Sequence, residues 1–176
     1  MKLTLSLADP KDAPELAELA ASVAEDLTTR FGKGFWSSSG SEKGVLFTMK
    51  TGRVYVARKS GKIIATLRLA TRKPWAIDRA YFTPCKRPIY LTGMAVIPDL
   101  QGQGIGRQCV EYARQLAEAW EGNAIYLDAY DAVAGAGEFY RKCGFQEVGR
   151  ATYRTVPLIY YEMLLTEMGI HGHRKR

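Results

Sequence analysis

Histidine, paired cysteine and long apolar runs are all scarce in this chain of 176 residues, and each shortage removes a class of function. Three cysteines, Cys85, Cys109 and Cys143, stand at wide spacing with no C-x-x-C pair, and only His171 and His173 could add nitrogen ligands. That set does not make a metal site; it reads as core or incidental thiols in a reducing compartment. Cys143 follows a helical segment, precedes Gly144 and has no histidine nearby in sequence, so it lacks the base that a thiol nucleophile needs. No uninterrupted apolar run approaches the length of a membrane span, and residues 1–7 alternate like a strand instead of forming a signal-peptide core. A cytoplasmic protein with no membrane partner is expected.

What is present is a globular composition. With 47% hydrophobic and 24% charged residues, the chain can bury one sizeable core. A single domain over residues 1–170 followed by a basic tail at 171–176 is expected. The formal net charge is +7, but the basic residues are scattered and only the tail clusters them, which argues against nucleic acid as a partner.

Periodicity orders the elements. Residues 2–7 alternate as a first strand, and Asp9-Pro10 then caps a helix with the apolar stripe Leu16, Leu19, Ala20, Val23 and Leu27, ending near Gly32. Residues 33–40 are a Gly/Ser-rich loop carrying Phe35 and Trp36; Ser41 caps a short helix over 42–50, stopped by Gly52. Strands over 53–58 and 62–70 meet at Ser60-Gly61 as a hairpin. From Thr71 to Pro88 the periodicity disappears, and the aromatic content of this long loop argues for a packed insertion over disorder. Strands at 89–97 and 125–130 enclose an amphipathic helix. A helix carrying Tyr140 then ends at Gly144, and closing strands at 145–148 and 151–165 turn at Pro157. Helices interleaved with strands in this order indicate an α/β domain with one mixed, largely antiparallel central sheet flanked by helices.

The stretch from Leu91 to Arg107 carries the chemical information. A strand runs into glycines at 102, 104 and 106, and the helix that follows buries Ile105, Cys109, Ala113, Leu116 and Trp120. Glycine removes the Cβ atoms that keep a ligand from the backbone. First-turn N–H groups have no intrahelical acceptor, and the helix dipole is positive there, so the turn suits a phosphate. Three phosphate-binding patterns compete. A P-loop needs Gly-Lys-Ser/Thr, whereas Gly106 is followed by Arg107 and Gln108; a dinucleotide fingerprint starting at Gly102 needs glycine at 107, which is arginine. The third pattern, Q/R-x-x-G-x-G/A, is met by Gln101, Gly104 and Gly106. Downstream, Phe139-Tyr140-Arg141-Lys142-Cys143-Gly144-Phe145 reads F-Y-x-K-x-G-F. With both segments in this order, one helix and one strand apart, the chain resembles the GNAT superfamily of acetyl-CoA-dependent N-acetyltransferases, most strongly from Ile89 to Phe145.

The resemblance implies a GNAT-like sheet whose central parallel strands, at 89–97 and 125–130, splay apart. The pantetheine arm of acetyl-CoA would pair with backbone groups of Met94, Ala95 and Val96, with Gly93 permitting a bulge that opens the ladder. Gln101, Gly102, Gln103, Gly104, Ile105, Gly106 and Arg107 would form the pyrophosphate turn, and a phosphate-rich cosubstrate gives the positive net charge its own reason. Where many members have asparagine ahead of the tyrosine helix, this chain has Asp131, with extra residues before Tyr140; Asp131 is carried over as cofactor-binding with that departure.

The reaction implied is direct attack of a primary amine on the thioester through a tetrahedral intermediate, its oxyanion facing a strand N–H near Ala95. Tyr140 matches the family's tyrosine that donates to the leaving sulfur. An alkylamine of pKa about 10.4 costs roughly 4.6 kcal/mol to deprotonate at pH 7, whereas a thiolate of pKa about 8.5 leaves with little help, so the base matters more than the acid. Asp128 is the candidate base, with Glu25 and Asp26 as further carboxylates bordering the acceptor side. Phe35 and Trp36 either line that side or pack their loop down, and the 71–88 loop covers it as a specificity element. The expected acceptor is a small-molecule amine, with a protein N-terminus or lysine as the enzymatic alternative and a non-catalytic acyl-CoA sensor as the alternative from another class. No metal is expected, and homodimer formation is left open.

Overall fold

The elements follow one another much as the periodicity predicts. The computed structural model describes residues 2–165, so the tail at 171–176 and the last residues of the expected domain lie outside the described residues. In order come β1 (Leu5–Leu7), α1 (Ala13–Phe31), α2 (Glu42–Thr51), β2 (Arg53–Lys59), β3 (Lys62–Ala70), β4 (Pro88–Val96), α3 (Ile105–Ala119), β5 (Ala124–Tyr130), α4 (Gly137–Lys142), β6 (Gln146–Tyr153) and β7 (Val156–Leu164). The strands form one sheet in the order β1-β2-β3-β4-β5-β7-β6. Every pairing is antiparallel except β4 with β5, which α3 joins by the crossover that parallel neighbours require. No helix among the described residues is long and apolar enough to cross a membrane.

Local chemistry sets the boundaries. Asp9 accepts from the Lys11 N–H at 3.0 Å while the Asp12 carboxylate accepts from the Asp9 N–H at 2.9 Å, so one reciprocal cap starts the 3-10 turn that leads into α1. Ser41 Oγ accepts from the Gly44 N–H at 3.1 Å and starts α2. Ser60 and Gly61, with φ of 50° and 80°, supply the two left-handed residues that a tight hairpin between β2 and β3 requires.

Two layers cover the sheet. On one face α3 and α4 bury Leu67, Leu69, Ile89, Leu91, Ile125, Leu127 and Tyr161. On the other, α1 and α2 cover Val54, Val56 and Ile63. The loop at 71–87 covers the rest of that second face, with Ile77 and Phe82 packed against Tyr90, Tyr126, Leu158 and Tyr160. Three sheet side chains pin it. Tyr126 Oη donates to the Thr83 carbonyl, Tyr160 Oη donates to the Ala76 carbonyl, and Glu162 accepts from the Thr83 N–H at 2.8 Å and its hydroxyl at 2.6 Å. The loop is therefore the packed insertion that its aromatic content predicts. Phe82, however, faces the sheet, stacked 4.3 Å from Tyr126.

Two boundaries differ from the sequence reading. The closing hairpin turns at Arg154 and Thr155, both left-handed at φ 47° and 72°, and Pro157 lies inside β7 opposite Thr152. Two non-glycine residues in that region leave no turn signal, so the proline draws the eye. The first strand is also shorter than 2–7, because Leu3 is held by α3 instead: its N–H donates to Gln108 Oε1 at 2.7 Å and its carbonyl accepts from Tyr112 Oη at 2.9 Å.

Asp12 anchors α1 to the sheet through Arg58 Nη2 at 2.6 Å. Burial acts to raise the Asp12 pKa, but the Asp9 N–H and the Arg58 guanidinium together outweigh it, and the net direction is down. A carboxylate lowered in the folded state stabilises above its unfolded pKa of about 3.9, and that stabilisation is lost as pH falls through the folded value. Asp12→Ala should therefore cost about 2 kcal/mol in urea unfolding at pH 7. The gap to wild type should narrow below about pH 4; an undiminished gap there would show that the carboxylate's charge is not what stabilises.

Candidate active site

The parallel ladder at the centre of the sheet stops early. β4 and β5 pair only at Pro88–Ala124, Ile89–Ile125 and Tyr90–Tyr126, yet the strands run on to Val96 and Tyr130. Between β3 and β4 the register passes from Arg68–Thr92 to Thr66–Ala95, so β4 carries one extra residue at Gly93-Met94, where Gly93 has φ 57°. That bulge bends β4 away from β5, as the sequence reading anticipates for Gly93, and opens a wedge between the two strands. The Ile97 N–H donates to the Ile64 carbonyl at 2.9 Å. By strand alternation Ala95 also turns its backbone toward β3, and the gap-facing groups are those of Met94 and Val96. The Val96 carbonyl already accepts from Gln101 Nε2 at 3.0 Å.

At the mouth of the wedge lies the glycine turn. Gly102 and Gly104 have φ of 73° and 82°, and a Cβ built on either meets nothing within 4 Å. Both are left-handed positions that open to space, as a cradle for an anion must. Gly104 caps α3 and its carbonyl accepts from the Gln108 N–H at 3.2 Å, so the N–H groups of Ile105, Gly106 and Arg107 precede the first intrahelical donor and have no acceptor within the helix. Ile105 itself is buried, and Gln103 Nε2 donates to the Asp99 carbonyl at 3.3 Å. Gly106 serves a different purpose: a Cβ there would stand 3.1 Å from the Phe139 ring. Its lack of a side chain lets α4 pack on the first turn of α3, which brings the two sequence motifs into contact. The exposed Arg107 sits near enough to Cys143 to offset part of the upward push that burial gives that thiol.

Two titratable groups border the wedge. Asp128 is half-buried on β5, and burial raises its pKa. Tyr140, on α4, is 8% exposed; burial and then the Asp128 charge push its pKa up, so its hydroxyl keeps its proton at neutral pH. Its ring is fixed by Phe139, Phe145 and Tyr161. Tyr130, two residues beyond Asp128, shifts upward for the same two reasons. Phe35 stacks on Tyr130 at 6.5 Å, Trp36 meets it edge-on at 6.4 Å, and Tyr130 Oη donates to the Phe35 carbonyl at 3.4 Å. The loop between α1 and α2 thus closes onto the wide end of the wedge.

The other candidates are placed elsewhere. Glu25 is exposed, and Asp26 pairs with Arg30 at 3.1 Å. The Asp131 carboxylate pairs with Arg150, with both oxygens 3.2 Å from Nη1. Cys109 is fully buried, and desolvation raises its thiol to a pKa of about 11, which suits a core residue. Among the described residues no cluster of three or more histidine, cysteine or acidic side chains could hold a metal. A surface groove of about 670 Å³ runs between the 71–87 loop and the end of β6, lined by Lys73, Trp75, Asp78, Arg79, Tyr81 and Tyr153 among others, and none of the wedge residues enters it. Sequence reasoning missed Tyr130 and Arg68. The second left a signal, a charge in the middle of an otherwise buried strand.

Comparison with known proteins agrees with this geometry. The model of the acetyltransferase (GNAT) family matches residues 20–145. No curated protein matches the sequence. Among solved structures, the ribosomal-protein-S18-alanine N-acetyltransferase from Escherichia coli superposes with a TM-score of 0.71 at 17% identity, covering 97% of this chain and 99% of that one. The aminoglycoside 6'-acetyltransferase type Ii gives 0.67 at 16% identity over 94% and 99%. The structure of yncA from Salmonella typhimurium with its cofactor acetyl-CoA gives 0.66 at 14% identity over 95% and 96%. At these identities the likeness is one of fold.

A carboxylate whose pKa is raised by folding stabilises fully only below its unfolded pKa, and that contribution is lost as pH rises through the folded value. Asp128→Asn should therefore raise the thermal midpoint at pH 7, with the difference from wild type shrinking as pH falls and vanishing only below about pH 3.9, where an unfolded aspartate titrates. An Asn variant no more stable than wild type at pH 7 would mean that Asp128 carries no desolvation cost.

Proposed function

The chain belongs to the GNAT acetyltransferase family, and from that membership we propose that it transfers the acetyl group of acetyl-CoA to a primary amine on a small molecule. The observation that carries this reading is the wedge. It joins a strand with gap-facing backbone groups, an anion-suited turn at the mouth, and a carboxylate and a tyrosine at its sides that are both pushed toward their neutral forms.

In this reading the backbone of Met94, Ala95 and Val96 receives the pantetheine arm, with Met94 and Val96 better oriented than Ala95. The pyrophosphate meets the N–H groups between Gly102 and Arg107, helped by the positive end of α3. Asp131 reaches the cosubstrate only by releasing Arg150. Direct attack of the amine gives a tetrahedral intermediate whose oxyanion takes a gap-facing strand N–H, that of Met94 or Val96.

Proton management follows from the two shifted groups. Removing the ammonium proton is the costly step, roughly 4.6 kcal/mol for an ordinary alkylamine at pH 7. Asp128, raised by burial, is a stronger base than an exposed aspartate and takes that proton directly or through water. Tyr140 remains protonated and donates to the departing sulfur. Phe35 and Trp36, closed onto Tyr130, narrow the acceptor side, which favours a small molecule over an extended polypeptide. The fold does not separate these acceptors, since it is shared with an enzyme named for a ribosomal protein and one named for aminoglycosides.

Thiol release from acetyl-CoA with a panel of amines tests transfer; binding without release for any amine would leave an acyl-CoA sensor. Given a reactive acceptor, Tyr140→Phe should lower the single-turnover rate by about 10- to 1000-fold while acetyl-CoA affinity stays near wild type. An unchanged single-turnover rate would reduce Tyr140 to a core residue.

A further inference from the structure

Among the described residues Arg68 is a cation with no anion beside it. It lies in β3 between the fully buried Leu67 and Leu69 and is half-buried itself. Its Nε donates to the Thr48 carbonyl at 3.0 Å, Nη2 to Thr51 Oγ at 2.8 Å and Nη1 to Thr92 Oγ at 3.2 Å. All three acceptors are neutral, and among the described residues no carboxylate stands within ion-pair distance of it. Burial depresses its pKa, with no nearby charge opposing that shift. The fold nevertheless accommodates it with care. A Cβ at Gly52 would stand 2.7 Å from its Cζ, so glycine there lets the guanidinium pass beneath the end of α2. The negative end of that helix offsets part of the charge. A desolvated cation held in place by neutral groups is costly unless something else uses it.

Its position indicates what that is. Guanidinium has five N–H donors, of which three are spent, leaving one on each terminal nitrogen. Thr92, its partner across the ladder, is two residues past Tyr90, the last β4 residue paired with β5. Asp128 is two residues past Tyr126, the corresponding residue on β5. Strand alternation puts Arg68, Thr92 and Asp128 on one face of the sheet, at the first open stretch of the wedge, on the side covered by α1, α2 and the 71–87 loop. β3 and β5 stand two strand spacings apart across β4, about 10 Å at the usual 4.8 Å per pair, and β5 diverges here, which leaves room for a small zwitterion between the two charges.

We propose that the acceptor is an amine that also carries a carboxylate, with Arg68 binding the carboxylate and Asp128 facing the amine; this rests on acetyl transfer to a small molecule as read above. Two N–H groups on a planar cation match the two oxygens of a carboxylate, which a lysine at this position would not reproduce. A polyamine or aminoglycoside would instead bring positive charge against Arg68, and a peptide N-terminus would offer an amide carbonyl in place of the carboxylate.

The test compares acetyl transfer to L-amino acids and to their carboxamides, with spermidine, an aminoglycoside and an alanine-led peptide as further acceptors, for wild type, Arg68→Gln and Arg68→Lys. The carboxamides carry the less basic amine and are more often unprotonated at pH 7, so a preference for the acids has to come from recognition of the carboxylate. Wild type should prefer the best acid to its carboxamide by at least tenfold in kcat/KM. Arg68→Gln should bring that ratio close to one through KM, and Arg68→Lys should keep part of it. Equal or better use of carboxamides, polyamines or peptide by wild type overturns the proposal and leaves acetyl transfer standing. A preference for acids that survives in Arg68→Gln overturns the role of Arg68. Transfer to none of the acceptors overturns the underlying reading and the proposal with it. If Arg68→Gln does not fold, the acid-to-carboxamide ratio in wild type and Arg68→Lys decides.

Discussion

One extra residue in β4 organises the molecule. Without the bulge at Gly93-Met94, the parallel ladder that begins at Pro88–Ala124 would continue beyond Tyr90–Tyr126, and the backbone of Val96 would be spent on β5. With it, β4 keeps its antiparallel bonds to β3 on one side and on the other turns the Met94 backbone and the Val96 N–H to the gap, while Gln101 holds the Val96 carbonyl. A sheet tolerates such an opening only where flanking elements hold the strands in place. β5 is paired with β7 along its whole length, and β4 is paired with β3 on both sides of the bulge. The wedge is thus a local loss of hydrogen bonds inside a rigid frame, which is the condition for a pre-organised site.

The frame also fixes how the two motifs cooperate. The Phe139 ring stands where a Cβ at Gly106 would crowd it, so the start of α3 and the helix bearing Tyr140 are packed side by side. On the opposite face the 71–87 loop is bolted to Tyr126, Tyr160 and Glu162, residues that alternate with those facing α3 and α4. Asp128 lies in the same register as this bolted surface, half-buried without an ion-pair partner among the described residues, and Arg68 stands in the same condition two strands away. Both charges are held in a low-dielectric setting that folding alone does not favour, a pattern common where a protein retains groups for chemistry at some cost in stability.

Most of the sheet and the turn were legible from the sequence, because their causes are local. Alternation marks the strands, the 3.6 period marks α3, and the glycines at 102 and 104 are required by left-handed backbone. Even the bulge was readable, since a glycine inside a strand next to a strand–turn–helix motif has few other uses. What escaped the sequence was set by distant partners. Gly106 looks like part of the anion turn until Phe139 is seen against it. Asp131 looks free until Arg150 is found beside it. The 71–88 loop looks like a cover for the acceptor side, whereas its Phe82 is turned inward onto Tyr126. Pro157 stood in for a turn whose left-handed residues, Arg154 and Thr155, carry no compositional mark. Arg68 acquires meaning only when pairing sets it beside Thr92 at the edge of the wedge.

The wedge as the seat of acetyl-CoA is tested most directly by residue-resolved amide hydrogen exchange with and without the cosubstrate. Ala95, already paired with β3, should exchange slowly in both states. Val96 and the turn from Gly102 to Arg107 should exchange quickly alone and become protected when acetyl-CoA is added, because their N–H groups gain acceptors. Unchanged exchange at Val96 and the turn under saturating acetyl-CoA, or protection confined to the groove beside the 71–87 loop, would contradict that placement.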